Sequence, residues 1–132
     1  MRVSKISDVV AVAAGGAFSV ALKSDGTVWE WGMNWCGQLG NGSNVDTSSP
    51  VRAAGLTRVV AIAAGDQHTL ALKADGSVWA WGWDKEGELG NGTRTNSNVP
   101  VLVPGVRGAI RVSAGEGQSL VLAVNSAALT KR

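Results

Sequence analysis

Val9-Val10-Ala11-Val12-Ala13-Ala14-Gly15 returns as Val59-Val60-Ala61-Ile62-Ala63-Ala64-Gly65, and more weakly as Ala109-Ile110-Arg111-Val112-Ser113-Ala114-Gly115. The spacing is 50 residues each time. Residues 9–58 lie on 59–108 without a gap, and 23 of these 50 positions are identical. A constant period without insertions means that one supersecondary unit is repeated and that each unit buries an apolar face on the next.

Every segment of the unit reads as strand. The first, Val9 to Ala14, is apolar at successive positions, the pattern of a strand buried on both faces. A second runs over Ser19–Lys23, with Thr69–Lys73 and Ser119–Ala123 as counterparts. Asp25-Gly26 and Asp75-Gly76 follow as hairpin turns, because these residues tolerate positive φ. The third strand is Thr27–Trp31, matched by Ser77–Trp81. A loop rich in Gly, Asn and Ser, Gly32 to Ser49, precedes a fourth strand, Val51–Ala54. No stretch carries the 3.6-residue apolar period of a helix. Four strands per unit, small residues in the first and tryptophan in the third, describe a wedge. Ala and Gly crowd near an axis, and Trp fills the wider space outside it. The expected fold is all-β: propeller blades of four antiparallel strands, three blades per chain. The boundaries are 1–8 for an unattached outer strand, 9–58 and 59–108 for two blades, and 109–132 for an incomplete third. A β-sandwich gives no reason for an ungapped period.

Composition supports a packed core and excludes several functions. Hydrophobic residues make up 45% of the 132 residues and charged residues 17%, too apolar for a disordered chain. The net charge of +2 is too small to indicate nucleic acid or an anionic membrane as partner. Cys36 is the single cysteine, which excludes an internal disulfide and a multi-cysteine metal site. No apolar run approaches the roughly 20 residues of a membrane-spanning helix. Met1 to Asp8 lacks the apolar core of a secretory signal.

The phrase Ala-Ala-Gly-x-x-His-Thr-Leu-Ala-Leu-Lys-x-Asp-Gly-x-Val-Trp-x-Trp-Gly, followed by Gly-x-Leu-Gly-Asn-Gly, closely resembles the regulator-of-chromosome-condensation repeat in its compact bacterial form. The resemblance covers residues 9 to about 125. It implies a seven-bladed propeller in the best-known members, among them a chromatin-bound nucleotide-exchange factor, a plant ultraviolet receptor and a secreted β-lactamase inhibitor. This sequence encodes at most three blades, whereas a ring needs about 4–8. It has neither a basic tail for chromatin nor the receptor's Gly-Trp-Arg-His-Thr cluster. Those specialised activities therefore do not carry over.

Register at the ends suggests how a ring would close. Met1-Arg2-Val3 falls opposite Val51-Arg52-Ala53 and reads as a fourth strand without a blade. Ala127 to Thr130 falls where a third strand belongs, without its tryptophans. Two copies exchanging the N-terminal strand would complete six blades and cover the exposed edges. The expected partner is thus a second copy, most simply in a homodimer.

Strand direction puts the turn after the first strand and the loop after the third on one rim. Asp66, Gln67 and Glu116 then lie near the axis. Asn34, Trp35, Trp83, Asp84, Lys85 and Glu86 lie farther out. These positions vary between repeats while the strands do not, and variable loops on a fixed scaffold are where binding is usually built. They are the candidate ligand-binding residues, with a protein or a glycan as ligand. Exposed tryptophan suits both, being enriched in binding hot spots.

No catalytic group is assigned. His68 stands alone, no Gly-x-Ser-x-Gly elbow occurs, and Cys36 has no base nearby in sequence. The glycine-rich Gly37–Gly42 segment lacks the Lys-Ser/Thr of a phosphate loop. No cofactor or metal is expected. The function read from the sequence is a non-enzymatic scaffold binding through one rim. The alternative is a hydrolase, metal-assisted, formed when assembly brings rim carboxylates to His68.

Overall fold

The computed structural model describes residues 7–35, 37–82, 97–103, 109–114, 119–123 and 129–131. All regular structure among the described residues is strand: β1 Val9–Ala14, β2 Phe18–Lys23, β3 Val28–Gly32, β4 Thr47–Arg52, β5 Val59–Ala64, β6 His68–Lys73, β7 Val78–Gly82, β8 Ser97–Leu102, β9 Ala109–Ala114, β10 Ser119–Ala123 and β11 Leu129–Lys131. They form three antiparallel sheets with the orders β1-β2-β3-β4, β5-β6-β7-β8 and β11-β10-β9. The first two are full blades. The third holds three strands among the described residues, β11 standing in the place predicted for a third strand. Met1-Arg2-Val3, the strand expected to complete it, lies outside the described residues.

The repeat extends to backbone irregularities. The β1–β2 ladder shifts register between Val9 and Ala11, and the β5–β6 ladder shifts between Val59 and Ala61. The Asp-Gly turns match as well. Gly26 and Gly76 have φ of 84° and 83°, the left-handed region open to glycine. In each turn the aspartate accepts from the backbone N–H and hydroxyl two residues on, Thr27 at 3.0 and 2.6 Å and Ser77 at 2.9 and 2.6 Å. These bonds hold the Asp25 and Asp75 carboxyls below their ordinary value of 3.8.

The core lies between sheets. Phe18, Val20, Leu22, Val28 and Leu39 of the first blade pack with Val59, Ala71 and Trp81 of the second. Leu70, Leu72, Val78 and Ala80 pack with Val103 and Val112, toward the third sheet. Period-two alternation explains the division: in β6, Thr69 and Ala71 turn to the preceding blade, and Leu70 and Leu72 to the following one.

Three local expectations are corrected. β4 begins at Thr47, four residues before the predicted start. As the outer strand its free edge tolerates Pro50, which cannot donate to a ladder. β1 is not buried on both faces, for Val10 and Val12 are 62% and 73% exposed. β1 is the inner edge of its sheet, and no described sheet covers the blade's leading face. In β5 the counterpart of Val12, Ile62, packs against the core shared with the first blade, and Val59 is buried, whereas Val60, the counterpart of Val10, is 55% exposed. Finally, the four strand tryptophans are not equivalent core residues. Trp81 is fully buried, whereas Trp29, Trp31 and Trp79 are half-buried.

Candidate functional site

In the first blade the turn between β1 and β2 and the loop after β3 share one rim, the Met33 N–H donating to the Ala17 carbonyl at 2.9 Å. Two turns are joined there directly, the Gly16 N–H donating to the Asp66 carbonyl at 2.8 Å. The contact requires glycine, because a Cβ at Gly16 would stand 2.8 Å from that carbonyl and 2.3 Å from Oδ1 of Asp66. The Asp66 carboxylate thus lies over the Gly16 backbone, in the space a side chain would fill.

Beside this junction a cleft of 380 Å³ is lined by Gly16, Ala17, Met33, Trp35, Gln38, Asp66 and Gln67. Trp35 is 51% and Met33 43% exposed. Three of the predicted ligand-binding residues, Trp35, Asp66 and Gln67, therefore border one cavity. Trp83, Asp84, Lys85, Glu86 and Glu116 lie outside the described residues, as does Cys36. Met33 and Gln38 were not among the predicted ligand-binding residues. Met33 sits on the variable side of Gly32 and was legible there. Gln38 lies inside the glycine-rich segment, where nothing in sequence separates a cleft-lining amide from a turn residue.

Asn34 has a different place. It is 0% exposed. Its backbone N–H donates to Oδ1 of Asp46 at 2.8 Å, and its Nδ2 to the carbonyls of Ser43 at 2.8 Å and Val45 at 3.2 Å. Its Oδ1 accepts from the Leu39 N–H at 2.9 Å. Asn34 thus organises the loop from within and does not present its amide to a ligand. It does position Trp35 one residue on. Asn34→Ala should cost about 1–3 kcal/mol, since buried backbone groups lose their partners, and Asn34→Asp, which keeps the acceptor for Leu39 but sets a buried carboxylate against the Ser43 and Val45 carbonyls, should cost at least as much. A denaturant melt of the two variants checks this order.

Beneath the rim the two blades are clamped by a group that the sequence reading overlooked. Glu30 of β3 is fully buried. Its Oε2 accepts from Nε1 of Trp81 at 2.7 Å and its Oε1 is 3.0 Å from the Thr69 hydroxyl. Burial drives the Glu30 pKa well above 4.5, with the bonds from Trp81 and Thr69 opposing. The neutral acid fits the same geometry. As the structure stands, Oε1 accepts from the Thr69 hydroxyl; a proton on Oε1 would reverse that bond and turn the Thr69 hydroxyl to the Gln38 carbonyl, 3.5 Å away. The available signal was a charged residue between Trp29 and Trp31 where the next repeat has Ala80. Leu39 is also fully buried in this interface.

His68 is fully buried on β6. It is the first residue of that strand, directly after Gln67 of the rim turn. Among the described residues no three His, Cys, Asp or Glu side chains converge as metal ligands do.

Blades of this kind, with these glycines and tryptophans, define a β-propeller repeat protein. The chain belongs to the regulator of chromosome condensation (RCC1) repeat family, whose model matches residues 25–72 and 75–122. A second RCC1 repeat model matches 9–38 and 59–88. Among solved structures it is similar to human WBSCR16, with 31% identity and a TM-score of 0.84 over 92% of this chain and 32% of that one. Prp20p of Saccharomyces cerevisiae shares the fold at 24% identity, with a TM-score of 0.80 over 96% of this chain and 33% of that one. Among curated relatives, the human probable E3 ubiquitin-protein ligase HERC3 is 56% identical over 39 residues, 30% of this chain and 4% of its own. The mouse regulator of chromosome condensation is 40% identical over 53 residues, 40% of this chain and 13% of its own. The chain spans about a third of the matched structures and a smaller share of the curated relatives.

Proposed function

We propose that this chain is a protein-binding propeller module that engages its partner through the rim carrying Trp35. The observation that carries the reading is the cleft where Trp35 and Met33 stand exposed beside the joined turns at Gly16 and Asp66. An exposed tryptophan at the edge of a concave, partly apolar site is the usual form of an interface anchor. The related yeast propeller is itself a protein binder: Prp20p has binding properties toward Gsp1p and histones and has been solved bound to Kap60. A glycan stacked on Trp35 is the competing ligand. Trp35→Ala should abolish capture of protein partners by the immobilised chain and leave its unfolding midpoint within about 0.5 kcal/mol of wild type, as for a surface change. Unchanged capture overturns the reading, and retention of a glycan in place of any protein redirects it.

The ring belongs to the same proposal: a second copy supplies the remaining blades, giving six. In support, the first blade's leading face leaves Trp31 half-buried and Val9 and Val12 exposed, at registers where the second blade's Trp81, Val59 and Ile62 are covered to a greater degree. Trp31 also lines an adjoining cleft of 430 Å³ with Met33, Asp46 and Thr47. Light scattering at tens of micromolar should give twice the chain mass of 13.5 kDa, and deletion of residues 1–8 should weaken assembly. A folded monomer refutes closure by a second copy.

A further inference from the structure

The loop after β3 carries Asn41-Gly42, a dipeptide with a chemistry of its own. No Cβ shields the glycine nitrogen, so it can attack the side chain before it. The Gly42 amide gives its proton to hydroxide, and its nitrogen bonds to Cγ of Asn41. The bond from Cγ to the side-chain nitrogen breaks, and that nitrogen takes up a proton and leaves as ammonia. Water then opens the cyclic imide at either carbonyl. The products are aspartate and an isoaspartate whose main chain runs through the side-chain carbons.

Gly42 is exposed and Asn41 half-buried, so water reaches the dipeptide. The nucleophile is nevertheless engaged. The Gly42 N–H donates to the Asn98 carbonyl of β8 at 2.8 Å, a bond from the first blade's loop to the outer strand of the second. Packing does not hold Gly42, since a Cβ there would meet only Val99, at 3.9 Å. Asn98 is tied to the same loop twice more. Its Nδ2 donates to Oδ1 of Asn44 at 2.8 Å, and a Cβ at Gly37 would stand 2.5 Å from its Cα. On the other side, Oδ1 of Asn41 accepts from the Ser43 N–H at 3.1 Å and lies 3.4 Å from Nδ2 of Asn34.

We propose that Asn41-Gly42 is a self-modification site gated by the seam between the two blades. While the seam is closed the Gly42 nitrogen is held by Asn98, and opening the seam releases it to react. The product acts back on the gate. Isoaspartate adds an atom to the main chain between Gly40, which lies against Trp81, and Gly42, which is bonded to Asn98. An opening that lasts long enough to react therefore becomes permanent. This inference is independent of the protein-binding reading of the rim.

The full chain is held at pH 8, sampled over days and digested with trypsin. Mass spectrometry of the peptide spanning 24–52 reads the conversion, and fragmentation places it at Asn41 rather than at Asn34 or Asn44. The other such pair, Asn91-Gly92, falls in a different peptide. Conversion at Asn41 should be at least about tenfold slower in the folded chain than in the same chain unfolded in guanidinium, because only the opened fraction reacts. Asn98→Ala and Asn44→Ala each remove the side-chain bond across the seam and should raise the folded-state rate about fivefold, the factor one hydrogen bond supplies. Gly37→Ala, whose Cβ presses Asn98 away, should raise it further; if it does not fold, the two side-chain variants decide. Thermal melts confirm that each variant is folded under the incubation conditions. The isoaspartate form, separated by ion exchange, should melt below its parent. Equal rates in the folded and unfolded chain, or a rate unchanged by both side-chain variants, overturns the gate. An isoaspartate form that melts with its parent overturns the lasting effect on the seam.

Discussion

Replacing Glu30 with glutamine should stabilise the protein at pH 8 and change it little at pH 4.5. In the folded state Glu30 is enclosed between two blades, with a tryptophan N–H and a threonine hydroxyl as neighbours and no cation among its interactions. Its pKa there is raised above the ordinary 4.5. Between those two values the folded state holds a proton that the unfolded state has released, so stability falls as pH rises. The contribution of the neutral acid is fully present below 4.5. It declines by about 1.4 kcal/mol per pH unit above that, and is wholly lost once pH has passed the folded-state value. Glutamine fits the same frame, its amide donating to Thr69 Oγ1 and its oxygen accepting from Trp81, and has no proton to lose. Asp25 and Asp75 act in the opposite sense and in another window, adding stability above 3.8 that is lost as pH falls through their lowered values. They are common to both proteins and cancel in the difference. Urea melts at half-unit steps from pH 4.5 to 8 measure the two curves. Parallel curves, or a glutamine variant less stable at pH 8, would show that Glu30 is ionised or hydrated in the fold. Glu30→Ala should be destabilising at every pH, leaving the Trp81 N–H buried without an acceptor at about 1–3 kcal/mol.

The tryptophans should separate by burial, against their shared register. Trp81→Ala should cost about 3–5 kcal/mol, the range for a large buried aromatic, and more if Glu30 is left without its donor. Trp81 is 0% exposed, bonded to Glu30, and pressed by Gly40. Gly40 has φ of 66°, and a Cβ there would stand 2.7 Å from Nε1 of Trp81. Trp79, two residues earlier on the same strand, shares the face of Trp81 but is only partly covered, packing at the edge of the same cluster. Its Nε1 donates to the Ser77 hydroxyl at 3.2 Å and its ring carries the Lys73 ammonium. Trp79→Ala removes a partly covered ring at the edge of the core and a cation–π contact of about 0.5–1 kcal/mol, and should cost about 1–2 kcal/mol in all. Trp29 should follow Trp79. Equal losses at Trp79 and Trp81 would refute this division.

The repeat was legible because a solenoidal or ring architecture writes its period into the chain. The two full blades share the turn at Asp25 and Asp75, the small first strand and the tryptophan-bearing third strand, so one sequence laid on itself suffices to reveal four-stranded units. The rim was legible for a related reason. Residues that pack must recur, and Trp35, Asp66 and Gln67 stand at positions that do not. Asn34 departs from that logic. It varies between repeats, yet it is buried, because a loop may be held by its own local hydrogen bonds and each blade can solve that problem differently.

Period and strand pattern by themselves determined the fold class and the Asp-Gly turns, because these depend on interactions within one repeat. Only the tertiary structure decided which of four equivalent tryptophans is core, why a glutamate stands between two of them, and that Met33, Trp35 and Asp66 border one cleft. Those outcomes depend on what the neighbouring blade places opposite each residue. Trp31 and Trp81 occupy the same register, but Trp81 has the first blade's Glu30 and Gly40 against it and Trp31 has no described sheet before it. Burial, proton affinity and cleft shape are properties of the contact between blades, and a period within one chain does not specify them.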